Sequence, residues 1–123
     1  MKNICVIDDC RAVGEMFSWG LGDGYKVTHL LRLPEDVKEL AEYDLLIVDN
    51  KGIWNSKFKN GVEFLKWYIP EHSNQAFIHY TGWCNSENRE ALESIGCDIV
   101  ESVGQFDFIK SIVEKKLSVA KDK

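Results

Sequence analysis

Three carboxylates stand at positions from which they could act together. Asp8 and Asp9 close the apolar run Ile4-Cys5-Val6-Ile7, and Asp49 closes Leu45-Leu46-Ile47-Val48. If those runs are neighbouring strands, the three acids converge. Clustered carboxylates repel one another unless a cation neutralises them, and hard oxygen donors suit Mg²⁺, which takes one or two carboxylates and keeps several waters. A metal held there could also offset the charge of a phosphoryl group in transfer, which makes Asp49 a candidate carboxylate nucleophile. Taken singly, Asp8 or Asp9 reads better as a turn former or helix N-cap. The joint pattern carries the chemical reading.

Positioning these acids requires strands that end together. Five apolar runs bounded by polar turns read as strands: Asn3 to Ile7, Lys26 to Leu30, Leu45 to Val48, Ala76 to Tyr80 and Asp98 to Val100. The first, third and fourth are nearly continuous in apolarity, as in a parallel sheet covered on both faces. Apolar residues recur at helical spacing in each gap, as Val13, Met16 and Phe17; Val37, Leu40 and Ala41; Val62, Leu65 and Ile69 before Pro70; Ala91, Leu92 and Ile95 before Gly96. Ile109, Ile112 and Val113 extend the pattern to a fifth helix, with Phe108 and Leu117 beside them. The expected fold is α/β, a doubly wound (βα)5 flavodoxin-like domain with a five-stranded parallel sheet in the order 2-1-3-4-5 and right-handed crossovers. It is expected to span residues 1–118 as one domain, with residues 119–123 as a disordered tail.

Gly20-Leu21-Gly22-Asp23-Gly24 follows a helical segment and precedes a strand, the reverse of the order that phosphate-binding loops use, so it reads as a helix C-cap and turn. No Gly-Lys-Ser/Thr loop occurs. In an open parallel sheet, ligands bind beyond the carboxyl ends of the strands, where Asp8, Asp9 and Asp49 lie.

Val6-Ile7-Asp8-Asp9, Asp44-Leu45-Leu46-Ile47-Val48-Asp49 and Ile78-His79-Tyr80-Thr81-Gly82, each closing its strand, resemble the receiver domain of two-component response regulators. Gly61-Val62-Glu63-Phe64-Leu65 is similar to the start of that family's third helix, and Gly96-Cys97-Asp98 to the Gly-Ala-Asp entering its fifth strand. The resemblance covers essentially the whole chain. It implies that Asp49 accepts a phosphoryl group, that Asp8 and Asp9 help it bind Mg²⁺, that Lys51 lends a backbone carbonyl to the metal, and that the Thr81 hydroxyl contacts the phosphoryl group. The implied donor is a histidine kinase or phosphotransfer protein, with a further protein downstream. The resemblance implies, as catalysis, at most phosphorylation of the protein's own Asp49 and its dephosphorylation.

The chain departs from the family where a lysine, usually followed by proline, closes the fifth strand: Val103-Gly104 stands there, and Val100 replaces the aromatic switch residue. Lys51 to Asn60 makes a longer loop than usual, and Lys51 is the first of its lysines, with Lys57 and Lys59, to be weighed as a substitute cation against three solvated loop lysines. The alternative reading is a pseudo-receiver, a protein-binding module independent of phosphorylation. A Mg²⁺-dependent phosphohydrolase is less well supported, since haloacid-dehalogenase-like enzymes use Asp-x-Asp rather than adjacent acids.

Of the remaining conspicuous residues, Trp54, Trp67, Tyr68 and Trp83 read first as core aromatics, with an exposed partner surface near the site as the alternative; His79 reads as a core or partly buried histidine, and Cys10 and Cys84 follow the first and fourth strands, where a redox role is the less favoured reading. The four cysteines match no zinc spacing and are expected as reduced thiols. A net charge of −5 over 123 residues gives no overall attraction to nucleic acid or to an anionic membrane. No stretch approaches the roughly 20 apolar residues of a membrane span, and Met1-Lys2-Asn3 leads into a strand pattern, so a cytoplasmic location is expected.

Overall fold

The computed structural model describes residues 1–101 and 106–121, the last four of them as backbone alone. Five strands, β1 (Lys2–Ile7), β2 (Tyr25–Leu30), β3 (Leu45–Val48), β4 (Ala76–Tyr80) and β5 (Cys97–Val100), form one sheet in the order β2-β1-β3-β4-β5. Every pairing is parallel. The helices are α1 (Arg11–Gly20), α2 (Gly61–Tyr68), α3 (Ser86–Glu93) and α4 (Phe106–Lys121).

The expected second helix forms as a 3₁₀ helix, Val37–Glu42, rather than an α-helix. Its span is short, and Asp36 caps it by accepting from Lys38 N–H, which closes a tight turn that Leu40 anchors in the core with Val37 packed against it. Pro70 does not end α2 cleanly but sits in a 3₁₀ turn, Ile69–Glu71, that extends it. α4 continues through Lys121, so Val119, Ala120 and Lys121 of the expected tail are helical. Val103 and Gly104 lie outside the described residues.

Alternation along the strands divides the core into two layers. Cys5, Ile7, Leu46, Val48 and Phe77 pack toward α2, α3 and the 3₁₀ helix, with Phe64, Leu65, Tyr68 and Leu92. Ile4, Val6, Leu45, Ile47, Ile78 and Tyr80 face α1 and α4, against Phe17, Ile109 and Val113. Full burial of one such side chain contributes roughly 1.5–3 kcal/mol, so neither layer tolerates a charge. The polar chemistry is thereby confined to the strand ends. α1 ends at Gly20, and Gly22, at φ +82, makes the left-handed turn expected of the glycine-rich segment.

Three of the expected core aromatics are exposed: Trp54 by 53%, Trp67 by 47% and Trp83 by 72%. Tyr68 alone of that group is in the core, where its hydroxyl donates to Gln75 at 2.8 Å. The tryptophans lie in the loops beyond β3 and β4 and on the outer face of α2, positions with no second layer above them. Trp67 instead packs beside Phe58 and under the Lys57 ammonium, 3.8 Å from its ring centre.

Candidate phosphoryl and metal site

The register of the sheet decides where the acids fall. Ile7 lies opposite Val48 on the adjacent strand, so Asp8 and Asp49 leave the sheet side by side. Their backbones continue the ladder for one step, with Asp8 N–H donating to Leu30 and Asp49 N–H to Ile7. Carboxylate oxygens of Asp8, Asp9 and Asp49 all come within 4.8 Å of one another. This is the point where the chain crosses from one half of the sheet to the other, the place an open α/β sheet offers to a ligand.

Each acid is fixed by local structure. Asp8 is 5% exposed; its Oδ1 accepts from Cys10 N–H at 2.8 Å, starting α1, and its carbonyl accepts from His29 Nε2 at 2.7 Å. Gly14 makes room for that imidazole, since a Cβ there would fall 2.1 Å from the His29 ring. Asp49 Oδ1 accepts from Asn50 N–H at 2.7 Å. Asn50 is held by the first turn of α2, with Gly61 N–H donating to its carbonyl and Val62 N–H to its Oδ1. Gly61 is sterically required, because a Cβ would sit 1.7 Å from the Asp49 carbonyl oxygen. Gly52, at φ +84, brings its backbone against Asp9, where a Cβ would meet the carboxylate at 2.2 Å.

Burial pushes the Asp49 carboxyl up from its ordinary 3.8 to about 6; the Asn50 N–H opposes the rise, and the charges of Asp8 and Asp9 add to it. Burial raises Asp8 as well, offset by the Cys10 N–H and by His29, with Asp9 adding. Both shifts come first from burial, and the neighbouring carboxylates add to them. Among the described residues the buried hydroxyl of Tyr80 has no hydrogen-bond partner, and the charges of Asp8 and Asp49 bear on it. Hard oxygens, repulsion and an orphaned hydroxyl fit a hydrated divalent cation, which would neutralise the acids and bring water to this end of the sheet.

Beside Asp49 a cleft of about 440 Å³ opens between the ends of β3 and β4 and the start of α3. Lys51, Thr81, Trp83, Asn85 and Asn88 help to line it. Thr81 is 7% exposed and its hydroxyl donates to the Trp83 carbonyl at 3.2 Å, a long bond that a better acceptor can displace. His79 is fully buried and Nδ1–H donates to the Val48 carbonyl, so it braces β3 against β4, and burial lowers its pKa. A larger cleft, about 650 Å³ and lined by Lys2, Tyr25, Lys110 and Glu114, lies at the opposite end of the strands, away from the acids.

No protein-family model matches the chain, and no curated protein sequence matches it. Among solved structures, the BeF3-activated receiver domain of DrrB superposes with a TM-score of 0.78 at 17% identity, over 96% of this chain and 98% of that one. A CheY-like receiver domain protein from Methanospirillum hungatei gives 0.77 at 23% identity, over 100% and 99%. The response regulator TrrA of Thermotoga maritima, in complex with Mg²⁺-BeF, gives 0.74 at 26% identity, over 94% and 99%. The fold is that of response-regulator receiver domains. Within this receiver fold the structure gathers Asp8, Asp9 and Asp49 into one cluster, with Lys51 and Thr81 on the adjoining cleft.

Sequence reasoning missed Asn50, which ties Asp49 to α2, and Gly52, which brings the next loop under Asp9. The only signal for either was its place beside the candidate acceptor. It also missed the exit of β5. Glu101, the first residue beyond that strand, accepts from Cys84 N–H at 2.8 Å and pairs with Arg89 of α3. Cys84 is buried and its thiol is pushed up by that burial, which argues against the reactive thiolate a redox role needs.

Proposed function

We propose that this protein is a signalling receiver, phosphorylated on Asp49 with Mg²⁺ held by Asp8, Asp9, Asp49 and the Lys51 backbone carbonyl. The observation that carries the reading is the convergence of three carboxylates within 4.8 Å at the carboxyl ends of two adjacent strands. A carboxylate oxygen of Asp49 attacks the donor phosphorus, the bond from phosphorus to the leaving atom breaks, and its electron pair departs with the donor. The product is an acyl phosphate on Asp49, which water later cleaves at phosphorus, returning the carboxylate and releasing phosphate. Bound Mg²⁺ supplies charge neutralisation at the phosphoryl oxygens. Thr81 turns its hydroxyl from the Trp83 carbonyl to a phosphoryl oxygen, which couples the acceptor to the loop after β4.

The donor is a histidine kinase or phosphotransfer protein, and the output is a change in affinity for another protein in the cytoplasm. Beyond phosphorylation and dephosphorylation of Asp49, no turnover is assigned to the protein. Incubation with Mg²⁺ and acetyl phosphate followed by intact-mass measurement tests the reading: one labile phosphoryl adduct is expected, absent from Asp49→Ala. No adduct, with no Mg²⁺ binding, would support the second reading, a pseudo-receiver that binds a protein partner regardless of phosphorylation. The acid at Glu101, already committed to Arg89 and Cys84, and the exposed Trp54, Trp67 and Trp83 favour that alternative.

A further inference from the structure

We infer that Lys51 is the phosphoryl-binding cation of this site, its ammonium contacting the group carried on Asp49; this rests on the proposed phosphorylation of Asp49. Electrostatics makes the requirement. A phosphoryl group entering beside three carboxylates brings further negative charge, and one divalent cation does not balance the sum. A second positive group is needed on the cleft side of Asp49.

Lys51 is, among the described residues, the one cationic side chain that lines the cleft, since His79 is buried and burial favours its neutral form. Among the described residues the far wall does not supply a free cation. The chain leaves β5 with an acid, Glu101, and the guanidinium nearest it, Arg89, is paired with Glu101 and lies within 3.7 Å of Glu93. Lys66, the other lysine close by, donates to Asn88 Oδ1 at 3.2 Å. Among the described residues Lys51 has no carboxylate partner, so its charge is available.

The backbone on either side of Lys51 is fixed to the acid cluster. Asn50 is tied to Asp49 by its N–H and to the first turn of α2 by its carbonyl and side chain. Gly52 holds a positive φ because its backbone is packed against the Asp9 carboxylate. Lys51 therefore projects from a pinned step between two acids rather than from the free part of its loop. An ammonium on a flexible stem is a compact point charge with three donors, suited to following a phosphoryl oxygen as it arrives. It donates hydrogen bonds and gives up no proton in the transfer.

The test is a binding titration on the full chain with Mg²⁺ alone and with Mg²⁺ plus beryllofluoride as a phosphoryl analogue, read by tryptophan fluorescence and by calorimetry. Lys51→Ala keeps the backbone carbonyl and is expected to bind Mg²⁺ as well as or better than the native chain while losing at least tenfold in beryllofluoride affinity. Lys51→Arg should recover part of that loss, and Lys57→Ala and Lys59→Ala should bind both like the native chain. Native affinity for beryllofluoride in Lys51→Ala, or an equal loss in Lys59→Ala, would overturn the inference while leaving Asp49 as acceptor. If the native chain binds neither Mg²⁺ nor beryllofluoride, the phosphorylation reading fails and Lys51 falls with it. A loss of Mg²⁺ affinity in Lys51→Ala would also overturn the inference, since it would mark a structural role.

Discussion

Replacing Asp49 by Asn should stabilise the metal-free protein, and the size of the gain follows from the electrostatics of the site. The Asp49 carboxyl stands at about 6 in the folded chain against an ordinary 3.8, so the folded state resists its ionisation. Each pH unit of such a shift corresponds to about 1.4 kcal/mol, which puts an upper bound near ~3 kcal/mol on the penalty at pH 7.5. Asp49 is only partly buried and solvent screens part of this, leaving about 1–1.5 kcal/mol. For a domain of this size that is roughly 4–6 °C in Tm. Asn keeps an oxygen to accept the Asn50 N–H, so the bond at 2.7 Å survives. Between about 4 and 6 the folded state binds more protons than the unfolded state, so this group's contribution to stability is full below its unfolded pKa and is lost as pH rises through the folded value. The advantage of Asp49→Asn should therefore be greatest at pH 7.5 and vanish near pH 4. Paired thermal melts in chelator at the two pH values measure it. Equal melting at pH 7.5, or a gain that persists undiminished at pH 4, would refute the idea that repulsion and burial hold this carboxyl up.

Two further outcomes follow from the same geometry. Mg²⁺ at ten times its Kd should raise the stability of the native chain by about 1.4 kcal/mol; Asp49→Asn should lose most of that increment in calorimetric melts, and the increment should shrink below about pH 6 as protons compete for Asp49. Gly61→Ala should lower the unfolding free energy measured by urea titration by about 2 kcal/mol or more, because its Cβ would meet the Asp49 carbonyl oxygen at 1.7 Å and the resulting strain exceeds alanine's helical advantage; the displaced Asp49 should weaken Mg²⁺ binding in the same variant.

The strands were legible because the signals that mark them are local and strong. Runs such as Leu45 to Val48 are apolar on both faces, short and rich in β-branched residues, as suits a strand covered on both sides, and each is closed by polar residues. The carboxyl ends of those runs named the acids directly. The second crossover was misread because Val37, Leu40 and Ala41 satisfy helical and 3₁₀ spacing almost equally over six residues, and length alone separates the two. The exposed tryptophans were misread for another reason: hydrophobicity predicts burial only where a covering layer exists, and whether anything lies over Trp83 or the outer face of α2 depends on the whole topology. Asn50, Gly52 and Glu101 belong to the same class, since their roles arise from contacts with Asp9, α2 and α3 that no local pattern encodes.

The site also shows why the loop after β3 matters more than its exposure suggests. Gly61 sits on the Asp49 backbone, Asn50 links Asp49 to α2, and Gly52 lies against Asp9, so the residues that begin and end the loop are bound to the acid cluster. Between them the loop carries Ile53 and Phe58 into the core and leaves Trp54 outside, with Arg32 above its ring at 5.4 Å. Charge added at Asp49 is thus coupled through two or three short contacts to an aromatic surface. The opposite wall is linked by a different route, through Thr81, whose hydroxyl donates to the carbonyl of exposed Trp83. A phosphoryl group bound by Lys51 on one side and Thr81 on the other would draw both walls toward Asp49, and the surface bearing Trp54 and Trp83 is where a partner would sense that closure.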